Sequence, residues 1–283
     1  MKKLSAIKMD KVWGYELWIA STHPNGPQKE FVDFCGGPYP LLVKVIQADQ
    51  SLSVQVHPDD ETAALLEGPG NVGKTECWYV LDAKPGAKLV YGLNGKPSRE
   101  SVAEAIEKNA LDPLLNQVEV RAGDFVFIPS GTVHAIGGGL RLMEVQQSCD
   151  ITYRLYDWGR PRELHVQKGV ASVKNEGLAK IARFPGRFEC EYFSLEEISV
   201  AGEWRHKNDS QTDDSAKSKA AAVQLFYILE GNGSVDCSQD QNGVAGSQAQ
   251  DFAAEDIIAL APGEEALFKS QNARVMKISA IGV

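Results

Sequence analysis

The sequence has no long apolar run and no cluster of basic residues. No stretch approaches the roughly 20 apolar residues that a helix needs to span a bilayer, so we expect no membrane segment. The basic start MKKLSAIKMDKVWG is not followed by an apolar core, which argues against a secretory signal peptide. The formal net charge is −9, and an acidic chain without a basic cluster is a poor candidate for binding nucleic acid or an anionic membrane.

Cysteine is also scarce, and the number and spacing of the cysteines argue against a Cys-x-x-Cys motif and a disulfide framework. The five cysteines form no Cys-x-x-Cys pair, and they are Cys35, Cys77, Cys149, Cys190 and Cys237. An odd number of scattered cysteines favours reduced thiols that fill small spaces in a core over a disulfide framework. We therefore expect a cytoplasmic protein.

Short segments of alternating apolar and polar residues dominate the sequence. They include LLVKVIQA (41–48), ECWYVLDA (76–83) and LRLMEVQQ (140–147), and the pattern resumes from about Phe184. Helical patterns are few and lie at 57–68, 97–111 and 163–174. We predict a mainly β fold of two β-sandwich (jelly-roll) halves, 1–183 and 184–283, with a few short inserted helices. Two polar stretches, 207–219 and 238–250, are predicted to be hairpin loops.

The two predicted halves contain a weak internal repeat. CWYVLDAKPGAKLV resembles LFYILEGNGSV, and GDFVFIPSGTVHAI resembles EDIIALAPGEEALF. In the second copy Ala266 stands where His134 stands, and Gln224 stands where Glu76 stands. Both copies keep the strand and turn residues, but only the first keeps these polar groups, which favours a functional role for them.

Four polar residues of the first half could hold a metal ion. Gln55 and His57 are two residues apart in a predicted strand, so their side chains point to one face. Glu76 begins another strand, and His134 ends the motif GDFVFIPSGTVHAI. Imidazole nitrogen and carboxylate oxygen suit zinc at about 2.0–2.2 Å. An amide oxygen is a harder ligand, which makes such a site less exclusive for zinc.

Three further charged residues lie near these positions in the sequence. Lys74 is two residues before Glu76, although its spacing alone favours a solvated lysine on a loop. Asp150 and Arg154 lie four residues apart among aromatic residues. The arginine fork suits a phosphate or an enediolate oxygen, and a structural ion pair is an equally good interpretation of the composition.

These motifs resemble a known family. Gly123-x5-Pro129-x-Gly131-x2-His134 resembles the second motif of the cupin superfamily, and Gln55-x-His57 with Glu76 resembles the first. Together with WGYELW (13–18) and MEVQQSCDITYRLYDWGR (143–160), they resemble type I mannose-6-phosphate isomerases of the short bacterial form over roughly the first 170 residues. Lys74-Thr75-Glu76 stands where that family more usually has Lys-Pro-Glu.

The resemblance implies one Zn²⁺ per chain, held by Gln55, His57, Glu76 and His134. It also implies two cupin-like halves, of which the first is catalytic and the second binds no metal. Lys74, Asp150 and Arg154 would line the cavity of a phosphorylated hexose, with Arg154 as the catalytic arginine.

The implied reaction is the interconversion of mannose 6-phosphate and fructose 6-phosphate through a cis-enediolate. The base is left open among Lys74, Asp150, Glu144 and a zinc-bound water. A metal-dependent oxygenase and a non-catalytic sugar-binding cupin are the alternative interpretations. The oligomeric state and the phosphate-binding residues are not predicted.

Overall fold

Strands make up most of the regular structure in the computed structural model, which describes residues 1–174, 178–213, 215–239 and 249–281. The strands are, in chain order, β1 (Lys2–Leu4), β2 (Ile7–Lys11), β3 (Gly14–Ala20), β4 (Leu41–Ala48), β5 (Val54–Val56), β6 (Glu76–Ala83), β7 (Lys88–Leu93), β8 (Leu115–Glu119), β9 (Asp124–Ile128), β10 (His134–Ile136), β11 (Leu140–Gln147), β12 (Tyr153–Tyr156), β13 (Ala182–Arg183), β14 (Arg187–Glu189), β15 (Phe193–Lys207), β16 (Gln224–Glu230), β17 (Asn232–Gln239), β18 (Gln250–Ala253), β19 (Ile257–Leu260) and β20 (Glu265–Ala280). The helices are α1 (Lys29–Cys35), α2 (Asp60–Glu67), α3 (Arg99–Glu107), α4 (Val166–Ser172) and α5 (Ala216–Ala221). The prediction of a mainly β fold with a few short helices is confirmed. Within the described ranges, no helix has the length and apolar character that crossing a membrane requires.

The chain folds into two compact units. The larger unit contains Lys8–Leu17 and Val43–Phe184, and the smaller unit contains Met1–Ile7, Trp18–Leu42 and Pro185–Val283. The predicted boundary between 183 and 184 lies beside the last of these limits. The chain also passes from one unit to the other after Ile7, Leu17 and Leu42.

The larger unit is a sandwich of two antiparallel sheets. Its five-stranded sheet has the order β12-β5-β10-β7-β8, and the seven-stranded sheet has the order β13-β9-β6-β11-β4-β3-β2. Buried side chains from both sheets form one core, for example Trp78 and Val126 from the seven-stranded sheet and Leu89 and Ile136 from the five-stranded sheet. Side chains alternate across a strand, so in β6 the core receives Glu76, Trp78 and Val80.

Helices cover the outer face of the five-stranded sheet. Val102 and Ile106 of α3 pack in one cluster with Val54, Val90 and Leu155 of the sheet. The starts of α2 and α3 are capped: Asp59 accepts a hydrogen bond from Thr62 N at 2.7 Å, and Ser98 accepts one from Ser101 N at 3.2 Å. The predicted helices therefore form at α2, α3 and α4.

The described residues of the smaller unit form an eight-stranded sheet in which β15 and β20 pair along almost their whole length. The register shifts between Val200 and Gly202, and such a bulge bends a long pair of strands. Aromatic side chains fill its core, among them Phe226, Phe252 and Phe268.

Two short helices of the smaller unit were not predicted. Helix α1 is seven residues long and buries only Phe31 and Cys35, which is too little for a clear helical pattern. Helix α5 (Ala216–Ala221) begins within the stretch 207–219, so the prediction of a loop is wrong at the C-terminal end of that stretch. Ser215 caps this helix by accepting from Ser218 N at 3.1 Å. Of the second predicted loop, 238–250, residues 240–248 lie outside the described residues.

Candidate metal centre

Three strands bring the predicted ligands of the larger unit together. His134 opens β10 and is the register partner of Gln55 in β5, and His57 follows the end of β5. Glu76 opens β6, between its register partners Ile128 and Gln146. One possible ligand atom from each of His57, Glu76 and His134 lies within 4.8 Å of the others. These three side chains are at most 1% exposed.

A turn in the main chain fixes both histidines. Gly131 has a φ of 87°, a conformation that favours glycine. Its N–H donates to His57 O at 2.7 Å. The next residue, Thr132, accepts a hydrogen bond from His134 Nδ1 at 2.9 Å. The PSGT turn thus holds the backbone of one histidine and the ring of the other.

The imidazole rings have a defined protonation. His57 Nδ1 donates to Ile151 O at 2.8 Å, and His134 Nδ1 donates to Thr132 O. A carbonyl oxygen only accepts, so each Nδ1 carries the proton and each Nε2 keeps its lone pair when the ring is neutral. Burial lowers the pKa of His57 well below its ordinary value and that of His134 to about 4. Both rings are therefore neutral near pH 7, which is the form that binds a metal.

The carboxylate of Glu76 lies between the Nε2 atoms of the two histidines, and no donor among the described residues is aligned for a hydrogen bond to it. His134 Nε2 is 3.2 Å from Glu76 Oε1, and His57 Nε2 is 3.7 Å from Oε2. Lys74 Nζ forms an ion pair with Oε2 at 2.7 Å. Within the described part of the chain neither oxygen accepts an aligned hydrogen bond, although both are buried. Burial raises the pKa of Glu76 to about 7, against the opposing effect of Lys74.

The donor set fits a divalent cation. Two lone pairs on imidazole nitrogens and a buried carboxylate without aligned hydrogen bonds face one point, and a cation there would compensate the buried charge. Gln55 Nε2 is 3.3 Å from His134 Nε2. A half-turn of the Gln55 amide would present its oxygen at the same place as a fourth donor.

Lys74 is buried between two carboxylates. Its Nζ lies 2.7 Å from Glu76 Oε2 and 3.9 Å from Glu144 Oε1. Burial lowers the pKa of Lys74, but Glu144 and Glu76 outweigh this effect, so the pKa is raised. Lys74 is only 5% exposed. Spacing alone favoured a solvated lysine on a loop, and that interpretation is therefore wrong.

A second ion pair supports this group, and sequence reasoning missed half of it. Lys44 Nζ lies 3.2 Å from Glu144 Oε1, and Trp78 Nε1 donates to Glu144 Oε2 at 2.9 Å. Burial raises the pKa of Glu144, but Lys74 and Lys44 lower it further than burial raises it. A lysine in the middle of the apolar strand LLVKVIQA was the available signal for Lys44.

The structure places Arg154 in a strand and Asp150 in the segment before that strand. Arg154 lies in β12 as the register partner of Gln55, and its Nη1 donates to Glu163 O at 2.8 Å. Burial lowers the pKa of Arg154, and Arg162 lowers it further. Asp150 lies outside the buried group, with an exposed side chain in the segment between β11 and β12.

Two more arginines lie near Arg154, and sequence reasoning missed them. Arg160 Nη2 donates to Asp157 Oδ1 at 2.7 Å and to Ser51 O at 2.7 Å. Arg162 Nε donates to Asp157 Oδ2 at 2.6 Å. The buried Asp157 thus holds both guanidinium groups, and the motif DWGRPRE (157–163) was the signal for them.

Comparisons with known proteins give one consistent family. The model of the phosphomannose isomerase type I catalytic domain matches residues 27–74. Mannose-6-phosphate isomerase ManA of Bacillus subtilis is 39% identical over 209 residues, which are 66% of this chain and 62% of ManA. GmuF of the same organism, named a probable mannose-6-phosphate isomerase, is 36% identical over 226 residues, which are 66% of this chain and 70% of GmuF. The match thus spans less than two thirds of ManA.

Solved structures show the same fold. The crystal structure of mannose 6-phosphate isomerase from Bacillus subtilis aligns over 98% of both chains with a TM-score of 0.79 and 26% identity. A variant of phosphomannose isomerase from Salmonella typhimurium aligns over 99% of both chains with a TM-score of 0.75. At 15% identity, that second likeness concerns the fold alone.

Proposed function

Because this chain belongs to the type I phosphomannose isomerase family, we propose that it interconverts mannose 6-phosphate and fructose 6-phosphate. One observation carries the proposal. The Nε2 atoms of His57 and His134 face the buried carboxylate of Glu76, whose oxygens accept no aligned hydrogen bond within the described residues. An aldose–ketose isomerase that uses a cation needs such a group beside the sugar oxygens.

We propose that the bound ion is one Zn²⁺ per chain, held by Gln55, His57, Glu76 and His134. The donor set supports zinc because it combines two imidazoles with a carboxylate. When bound, zinc would supply Lewis-acid stabilisation of the charge that develops on O1 and O2 of the sugar.

In this proposal Lys74 and Arg154 also stabilise the negative charge that develops on the sugar oxygens. Lys74 stays an ammonium near neutral pH because Glu144 and Glu76 raise its pKa, so it donates a hydrogen bond to a sugar oxygen. Arg154 shares the sheet face of Gln55, and its guanidinium adds a fixed positive charge beside the cis-enediolate. Such preorganised donors stabilise a transition state because they need no rearrangement.

The proton between C1 and C2 needs a carrier near this group. Glu144 remains a candidate base, because Lys74 and Lys44 keep its buried carboxylate ionised. We propose Asp150 as a residue of the cavity rim, since its side chain is exposed.

The phosphate of the substrate matches the arginines that follow Arg154. Asp157 fixes Arg160 and Arg162, and both side chains remain partly exposed to solvent. Guanidinium groups bind phosphate through paired N–H donors. We propose that these arginines hold the phosphorylated end of the hexose.

We also propose a cytoplasmic location for the protein. The five cysteines are free thiols, which supports this location.

A coupled assay tests the proposal. Purified protein is supplied with mannose 6-phosphate, and fructose 6-phosphate formation is followed before chelation, after chelation and after zinc is returned. We expect turnover to disappear with the chelator and to return with zinc, with about one zinc per chain by elemental analysis. Full activity of metal-free protein would overturn the zinc assignment, and sugar binding without turnover would favour a binding protein.

A further inference from the structure

A cavity of the larger unit is lined by residues other than the candidate metal ligands His57, Glu76 and His134. It has a volume of about 410 Å³ and lies at β7, β8 and the segment after α4. Its apolar walls include Tyr91, Val118, Leu178 and Ile181. This volume lies within the range of roughly 300–1,000 Å³ that is typical of small-molecule sites.

Three lysines and no carboxylate are found among the described residues that line this cavity; the lysines are Lys96, Lys174 and Lys180. Lys174 Nζ pairs with Asp59 Oδ2 at 2.7 Å. Among the described residues, Lys96 and Lys180 form no ion pair. A chain with a net charge of −9 thus gathers like charges around one cavity, and an anion bound there would relieve their repulsion.

The wall of the cavity also offers the hydroxyl of Thr132. Thr132 lines the cavity and is 4% exposed. Its side chain makes no hydrogen bond within the described ranges, although its carbonyl accepts from His134 Nδ1. A hydroxyl that lines the cavity can donate a hydrogen bond to an oxygen of a bound anion.

This wall is part of the turn that fixes the two histidines of the candidate metal centre. Lys174 N donates to Gly131 O at 2.9 Å, and Gly131 N donates to His57 O at 2.7 Å. An occupant that contacts Thr132 and Lys174 therefore contacts the residues that set the positions of His57 and His134.

We propose that this cavity binds a small phosphorylated anion, with its phosphate at the lysines and Thr132 and its remainder against Leu178 and Val118, and that binding alters turnover through the turn 129–132. The site differs from the proposed substrate cavity in its residues. Its occupant acts as an effector, whatever isomerase substrate the chain prefers.

Titration calorimetry with glycerol 3-phosphate tests the binding. The titration is made on zinc-loaded protein with the active site occupied by an equilibrated mixture of mannose 6-phosphate and fructose 6-phosphate. The test protein is the double variant Lys96→Met with Lys180→Met. The control is Lys84→Met with Lys88→Met, which removes two exposed lysines outside this lining.

We expect the test variant to bind the probe about tenfold more weakly, because charge-assisted contacts to phosphate are lost, while the control matches the unmodified chain. Glycerol 3-phosphate should also change kcat at saturating substrate in the unmodified chain and the control, and not in the test variant. Equal binding by both variants, or inhibition that affects KM alone, would overturn the proposal. Binding heat needs no turnover by the probe, so failure of the isomerase assay leaves the binding result readable.

Discussion

The two units contain the same turn, and the candidate metal ligands lie around the turn of the larger unit. In the larger unit Gly131 N donates to His57 O at 2.7 Å, and in the smaller unit Gly263 N donates to Asn208 O at 2.7 Å. His134 pairs in register with Gln55, and Ala266 pairs in register with His206. The strand register and this turn thus make four pairs of positions equivalent in the two units. They are Gln55 and His206, His57 and Asn208, Glu76 and Gln224, and His134 and Ala266.

The difference lies in how the polar groups are satisfied. In the smaller unit His206 Nε2 and Gln224 Oε1 are 2.7 Å apart, and Asn208 Nδ2 donates to Ala222 O and Leu260 O. In the larger unit the oxygens of Glu76 accept no aligned hydrogen bond within the described residues. The turn therefore forms for backbone reasons, and unsatisfied polar groups distinguish the half that would hold an ion.

A substitution that makes the larger unit resemble the smaller one should have the largest effect on bound zinc and on activity. His134→Ala introduces the residue found at position 266 and removes one nitrogen ligand. We expect loss of bound zinc and a fall in kcat/KM of about 10³-fold or more, measured by elemental analysis and the coupled assay. His206→Ala is the matched control, and it should keep zinc and activity. Loss of zinc in the control alone would reverse our assignment of the two units.

Arg154→Ala should separate chemistry from metal binding. Its guanidinium is proposed to stabilise developing charge, so we expect kcat to fall by about 10²–10³-fold while zinc content stays at the level of the unmodified chain. Parallel zinc analysis and steady-state kinetics check this. An unchanged kcat would remove Arg154 from the proposed mechanism.

The ion pairs of the two units offer a comparison of stability. Lys44 and Glu144 are buried and 3.2 Å apart. Lys277 and Glu196 are 2.9 Å apart, with side chains 20% and 44% exposed. Lys44→Met leaves Glu144 buried with one cation fewer and should lower the free energy of unfolding by about 3–5 kcal/mol. Lys277→Met should lower it by about 0–1 kcal/mol.

Urea unfolding followed by tryptophan fluorescence measures both changes. Similar losses for the two variants would show that burial does not separate these ion pairs.

The smallest expected effect is a pH dependence of the smaller unit. Burial lowers the pKa of His206, against the hydrogen bond with Gln224, and Lys277 lowers it further while Glu196 and Asp209 raise it. Below its ordinary pKa the unfolded chain binds a proton that the folded chain resists. Stability should therefore fall as pH decreases through that ordinary pKa. His206→Gln should reduce this fall in unfolding experiments from pH 7 to pH 5, and an identical slope would contradict the expectation.

Local patterns predicted much of the fold and part of the candidate site. The spacing of Gln55 and His57 and the turn before His134 led to three side chains that the structure brings together. The buried pair of Lys44 and Glu144 was not predicted, because it joins β4 and β11, which are far apart in the sequence. The exposure of Asp150 depends on where the chain leaves β11, and no residue spacing encodes it.

The pairing of β5 with β10 also bears on when an ion could bind during folding. Gln55 and His134 are 79 residues apart in the chain, and such distant contacts form slowly because a long loop must close first. The complete ligand set exists only after these strands have paired. Zinc should therefore slow unfolding and leave the early folding rate unchanged, so that ion release reports on the opening of this strand pair.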